Sequence, residues 1–79
     1  MAAKKRNSPL VKLFAERLRT ERQRQGLSQD RLASLAGLHR TYVGLIERCE
    51  RNVSLLYVEK LSKALRVSAE SLLRKEDHK

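Results

Sequence analysis

Apolar residues recur along this chain at three- and four-residue intervals, the spacing that places side chains on one face of an α-helix. Leu10, Phe14 and Leu18 form the first such row. Ser8 and Pro9 stand just ahead of it: a serine caps orphan N–H groups, and a proline fits the first helical turn. A first helix is therefore predicted from Pro9 to about Gln25, with Lys12, Arg19 and Arg24 on its other face and Gly26 as a left-handed stop. Ser28 opens a second, short helix, Gln29 to Ala36, whose inward side is Leu32, Ala33, Leu35 and Ala36 and which Gly37 ends. His39 opens a third, running through about Arg48. Ser54 caps a fourth, Leu55 to Leu65, with Val58, Leu61 and Leu65 as its stripe. Ser68 begins a short fifth, Ala69 to Leu73. No stretch alternates with the two-residue period of a strand. The expected fold class is all-α, with five helices. Residues 1–8 read as a flexible basic arm, 9–74 as the folded domain and 75–79 as a charged tail.

The segment from Gln29 to Glu47 carries the strongest pattern. Two short helices joined by a three- or four-residue turn must cross steeply, as in a helix-turn-helix. Ala33 is small where the third helix passes over the second, and Gly37 supplies the positive φ of the turn. Leu32, Ala36, Leu38, Val43 and Ile46 are apolar, as wedges against the remaining helices must be. With Val43 and Ile46 inward, the outer face of the third helix presents Arg40, Thr41, Gly44, Leu45 and Arg48.

Charge gives that face a partner. The 79 residues hold 18 Lys+Arg against 9 Asp+Glu, a formal +9, which attracts a polyanion, nucleic acid above all. Aromatics are few, Phe14, Tyr42 and Tyr57, whereas single-strand and RNA binders stack bases on several. Duplex DNA is the expected partner. The single cysteine, Cys49, cannot form an internal disulfide, which fits a reducing cytoplasm. No apolar run nears the roughly 20 residues of a membrane span, and the N-terminus lacks the apolar region of a secretory signal. A membrane-surface role would need a broad exposed apolar face, which the first helix spends on the core. Two histidines, one cysteine and scattered carboxylates give neither a nucleophile–base set nor a metal spacing, so no enzyme, cofactor or metal is expected.

Individual contacts follow from side-chain chemistry. Arg40, in the first turn of the third helix, suits a bidentate contact to guanine, worth about 1–3 kcal/mol of discrimination. Thr41 suits a base edge or a thymine methyl. Leu45 meets a thymine methyl or simply packs. Gln29, at the start of the second helix, suits a phosphate, because free N–H groups and the helix dipole favour an anion there. Tyr42 is either a phosphate contact or a packing tyrosine, and Arg48 is a further phosphate candidate. A single recognition helix reads too few base pairs to select one site, which a two-fold dimer remedies by reading two half-sites. Val53, Leu55, Leu56, Tyr57, Leu72 and Leu73 exceed what the motif needs, and those not lining the core suit a homodimer face.

From about Leu10 to Leu73 the chain resembles the lambda-repressor-like (Xre-type) helix-turn-helix proteins. The resemblance is carried by Gly26-Leu-Ser-Gln-Asp-Arg-Leu-Ala, Ala36-Gly-Leu-His-Arg-Thr-Tyr-Val-Gly-Leu-Ile-Glu-Arg, Arg51-Asn-Val-Ser-Leu and Ala64-Leu-Arg-Val-Ser. Within that family, the Leu-His-Arg-Thr-Tyr-Val and Ile-Glu-Arg-Cys-Glu-Arg-Asn stretches look most like the controller proteins of restriction–modification systems. Phage-type repressors and the antitoxins of toxin–antitoxin modules carry similar loops and form the alternative reading. The resemblance implies an ion pair between Arg22 and Glu47 that also holds Arg22 toward the DNA backbone. It implies that Arg51 reaches a base and Asn52 the backbone, although Asn52 equally suits a loop residue bonding its own backbone. It implies regulation of the protein's own promoter and of a neighbouring endonuclease gene, with RNA polymerase a further partner if the protein activates. The end of the second helix offers no acid nearer than Asp30, which favours repression. Three positions depart from the family pattern. Leu45 occupies a groove-facing position where a polar residue would be unsurprising. Cys49 stands where Gly or Asn often closes the third helix, and His39 replaces a Ser, Thr or Asp cap, which predicts a less firmly ordered helix before DNA binds.

Overall fold

A computed structural model describes residues 8–75; the predicted arm at 1–7 and most of the charged tail, 76–79, lie outside the described residues. Each helix begins where a side chain can satisfy an orphan N–H. Ser8 Oγ accepts from the Val11 N–H and opens α1 (Pro9–Arg24). Ser28 Oγ accepts from Arg31 and opens α2 (Gln29–Ala36). The His39 ring opens α3 (Arg40–Glu47), its Nδ1 accepting from the Thr41 N–H at 3.3 Å. The histidine thus makes the capping bond otherwise supplied by Ser, Thr or Asp. Ser54 Oγ accepts from Tyr57 and opens α4 (Leu55–Leu65).

The ends are equally regular. Beyond each helix one residue turns left-handed, and the two N–H groups there return to the last carbonyls, the Schellman arrangement. Gly26 and Gly37 end α1 and α2, each at φ 71. After α3 the left-handed residue is Cys49, at φ 59, with its N–H on Ile46 O (3.0 Å) and the Glu50 N–H on Leu45 O (2.9 Å). After α4 it is Arg66, at φ 60.

The fifth helix is a correction: Glu70–Leu73 forms a single 3-10 turn. Its segment is too short to propagate an α-helix, and Ser71 N–H and Leu72 N–H reach back three residues, to Ser68 O and Ala69 O. The described residues thus form four α-helices and this turn, with no strand among them.

One core holds the elements together: Phe14, Leu18, Leu32, Ala33, Ala36, Val43, Ile46, Val58, Leu61, Leu65 and Leu72. α2 packs most extensively on α3, with fully buried Ala33 between them, while α1 receives the 3-10 turn, where Arg17 Nε donates to Ser71 O at 3.3 Å. Two predicted core residues fall outside. Leu10 is exposed, because the buried side of α1 begins only at Phe14. Leu35 is exposed because Leu32, Ala33 and Ala36 define a stripe whose centre lies roughly 100° away around α2. Conversely, Leu72 is fully buried in the monomer and cannot serve a dimer face.

Candidate nucleic-acid interface

α3 turns Val43 and Ile46 inward and leaves Arg40 and Thr41 exposed at its first turn. A groove runs along its outer side, lined by Gln29 and Asp30 of α2 together with Arg40, Thr41, Gly44, Leu45 and Arg48. The fold therefore collects on one surface five residues proposed from the sequence: Gln29, Arg40, Thr41, Leu45 and Arg48. Leu45 is half-buried in its wall. Gly44 lines the groove as expected, but it is itself buried, because Gln29 and Arg48 lie across it.

Beneath this surface sits an ion pair with almost no access to water. Arg22 Nε and Nη2 donate to the two carboxylate oxygens of Glu47 at 2.7 and 3.0 Å, and Arg22 Nη1 donates to Leu27 O at 2.8 Å. The side chains are 11% and 3% exposed. Three guanidinium N–H groups of Arg22 are thus spent inside the fold, leaving it poorly placed as a direct phosphate contact. Glu47 Oε1 accepts a further hydrogen bond, from Gln29 Nε2 at 3.0 Å. The pair therefore fixes α1 to α3 and also orients a side chain on the groove. A lone carboxylate in that position would be costly; this one receives three donors.

A second group joins Tyr42 of α3 to Arg51, past the end of that helix, and to Tyr57 of α4. The Arg51 guanidinium lies 4.5 Å from the Tyr42 ring centroid and Nη2 is 3.5 Å from the Tyr42 hydroxyl. The Tyr57 ring sits 5.3 Å from that of Tyr42, and the Tyr42 hydroxyl beside it pushes the Tyr57 phenol above its ordinary value. Tyr42 is half-buried, so it both packs and carries an accessible edge. Arg51 and Asn52 are exposed. Stacking on Tyr42 limits the orientations open to Arg51, which lowers the entropy lost when it binds.

Acids touch this surface at two places. Asp30 lines the groove, and Glu50 pairs with Arg48 Nε at 3.2 Å. Both restrain the positive field locally. At the end of α1, Arg24 and Gln25 hydrogen-bond Glu21, and Gln25 Nε2 continues to Leu65 O at 2.7 Å. The Arg24 guanidinium first, then Gln25, holds the Glu21 carboxyl below the usual carboxylate range, against the opposing effect of burial; the same contact raises Arg24.

Of the remaining positions, Val53, Tyr57 and Leu73 are half-buried against the core, while Leu55 and Leu56 are 83% and 54% exposed. Among the described residues no helix is long and apolar enough to cross a membrane, and no group of His, Cys, Asp and Glu could hold a metal ion.

Two eight-residue helices joined by Gly37-Leu38-His39, the second bearing an exposed polar face over a shared core, define a helix-turn-helix protein. The chain belongs to the Xre-type helix-turn-helix family, whose model matches residues 18–72. It is similar to the control protein C.SmaI of Serratia marcescens, 46% identical over 67 residues, 85% of this chain and 80% of the relative. The solved structure of the restriction-modification controller protein C.AhdI from Aeromonas hydrophila superposes with a TM-score of 0.76 at 48% identity, over 78% of this chain and 94% of that one. C.Esp1396I bound to a 25 base pair operator site gives a TM-score of 0.77 at 32% identity, over 84% and 87% of the two chains.

Proposed function

We propose that this protein is a sequence-specific regulator of transcription that binds double-stranded operator DNA, as a controller of a restriction–modification system. The observation that carries the reading is the groove along α3, where Gln29, Arg40, Thr41, Leu45 and Arg48 converge from two helices. Its support comes from the likeness to an operator-bound controller over most of both chains. Arg40 and Thr41 enter the major groove and read base edges, with Leu45 against a thymine methyl. Arg51 reaches a further base from its stack on Tyr42. Gln29, Arg48, Tyr42 and Asn52 hold phosphates and set the register. Arg22 acts through Glu47 rather than on DNA.

The protein works as a homodimer on a pseudo-palindromic operator. Leu55 and Leu56, exposed at the start of α4 with Val53 and Tyr57 beside them in the chain, form the dimer face together with half-buried Leu73. Burying Leu55 contributes about 1.5–3 kcal/mol, and Leu56, 54% exposed, correspondingly less. The regulatory sign is repression, since the only acid on α2, Asp30, faces the DNA groove instead of a polymerase.

Selection from a randomised pool of DNA duplexes tests the reading. Enrichment of a two-fold-related motif is expected, with Arg40→Ala relaxing one position in each half-site by about 1–3 kcal/mol. A pool that stays random after repeated rounds would exclude sequence-specific binding.

A further inference from the structure

Gly44 occupies the middle of the recognition helix with an ordinary helical backbone, where glycine is a poor helix former. No left-handed turn requires it. What it provides is space. A Cβ at this position would lie 3.0 Å from Arg48 Nη1 and 3.2 Å from Gln29 Oε1. Both distances are tighter than ordinary contact, so both side chains would have to withdraw. Arg48 is a long, largely exposed side chain and can move. Gln29 cannot move without cost, because its Nε2 is held by Glu47, and Glu47 is itself clamped by two N–H groups of Arg22.

We propose that Gly44 is a positioning residue for DNA recognition: by lacking a side chain it lets Gln29 and Arg48 lie across α3, where both reach the DNA. The inference rests on the DNA-binding reading above and adds a residue that touches neither base nor phosphate through a side chain of its own. The chain of support runs from Arg22 through Glu47 to the Gln29 amide, and Gly44 is the gap into which that amide is set. Binding groups must be held within about 0.5 Å of productive geometry, and displacing two of them at once by a few tenths of an ångström uses up most of that margin. The glycine therefore sacrifices helix stability for the surface, the kind of local rule-breaking expected at a functional site.

Gly44→Ala is the test, read on the duplex selected above and on a scrambled one. Affinity for the selected duplex should fall about tenfold while the melting temperature of the free protein stays level or rises by about 2–6 °C, because alanine is the better helix former. A merely structural glycine would move both in the same direction. In a Gln29→Ala/Arg48→Ala background, adding Gly44→Ala should change affinity less than twofold, since its effect passes through those two side chains. In the free protein, the Gln29 side-chain amide resonances should shift on Gly44→Ala as the bond to Glu47 loosens. Unchanged affinity, a full tenfold loss in the double-variant background, or an unmoved Gln29 amide would each overturn the proposal. A parent chain that enriches no duplex would instead refute the DNA-binding reading, while the amide signal still decides the geometry.

Discussion

Glu47 shows how one side chain serves both the fold and the site. Its carboxylate receives two N–H groups from Arg22 and one from Gln29 with almost no solvent contact. Glu47→Gln leaves the Arg22 guanidinium buried without its counter-charge, which should destabilise the domain by about 3–5 kcal/mol, measurable by urea unfolding. That is a large share of the roughly 5–15 kcal/mol available to a small domain. Replacing the pair together, Arg22→Met with Glu47→Leu, should recover most of the stability, because apolar residues of similar volume match a buried pair. DNA affinity should stay reduced, since the Gln29 amide has lost its anchor. Recovery of both together would mean that the pair does not orient Gln29. At this scale the sequence pattern alone gave little, because a buried salt bridge looks the same in a sequence as two solvated charges; the expectation of this pair came from family resemblance.

The elements owe their limits to single residues at their ends. Serines at three helix starts and glycines at two helix ends are readable from sequence, because few residues suit those positions. Cys49 and Arg66 are not readable in the same way: each is forced left-handed by the Schellman bonds around it, against the preference of a residue bearing a Cβ. Cys49→Gly should therefore stabilise the protein by a few tenths to about 1 kcal/mol, and Gly37→Ala should destabilise it by about 1 kcal/mol or more, both seen in thermal unfolding. A further tie between elements has a pH signature. Glu21 joins α1 to the end of α4 through Gln25, and its carboxyl titrates below the usual range because Arg24 hydrogen-bonds it. A group depressed in the folded state contributes stability above its unfolded value and loses it as pH falls through the folded one. Acidification below the usual carboxylate range should thus weaken the fold, and Glu21→Gln should flatten that part of a stability-against-pH curve.

For the whole molecule, charge and burial decide the partners. A formal +9 on 79 residues makes the DNA contact strongly electrostatic. The logarithm of the binding constant should fall linearly with the logarithm of salt, with a slope of about −0.9 for each phosphate neutralised. Arg48→Ala should lower that slope by about one, and Thr41→Ala should leave it unchanged. Self-association belongs to the same scale. Leu55→Glu should shift the protein toward monomer in light scattering while the monomer stays folded, because that leucine is 83% exposed in the single chain. A dimer that survived this change would place the two-fold contact on another surface.

Helical periodicity, serine caps and the small residues of the turn determined the helix-turn-helix and most of its core directly from sequence, since these depend on local sterics and on spacing along one helix. Tertiary structure alone decided the fate of Leu10, Leu35, Leu55 and Leu72, which belong to one residue type but differ from fully buried to widely exposed. It also decided that Gly44 lies under two side chains from different parts of the chain. Burial and proximity of that kind depend on which helices meet, and a one-dimensional pattern does not record those meetings.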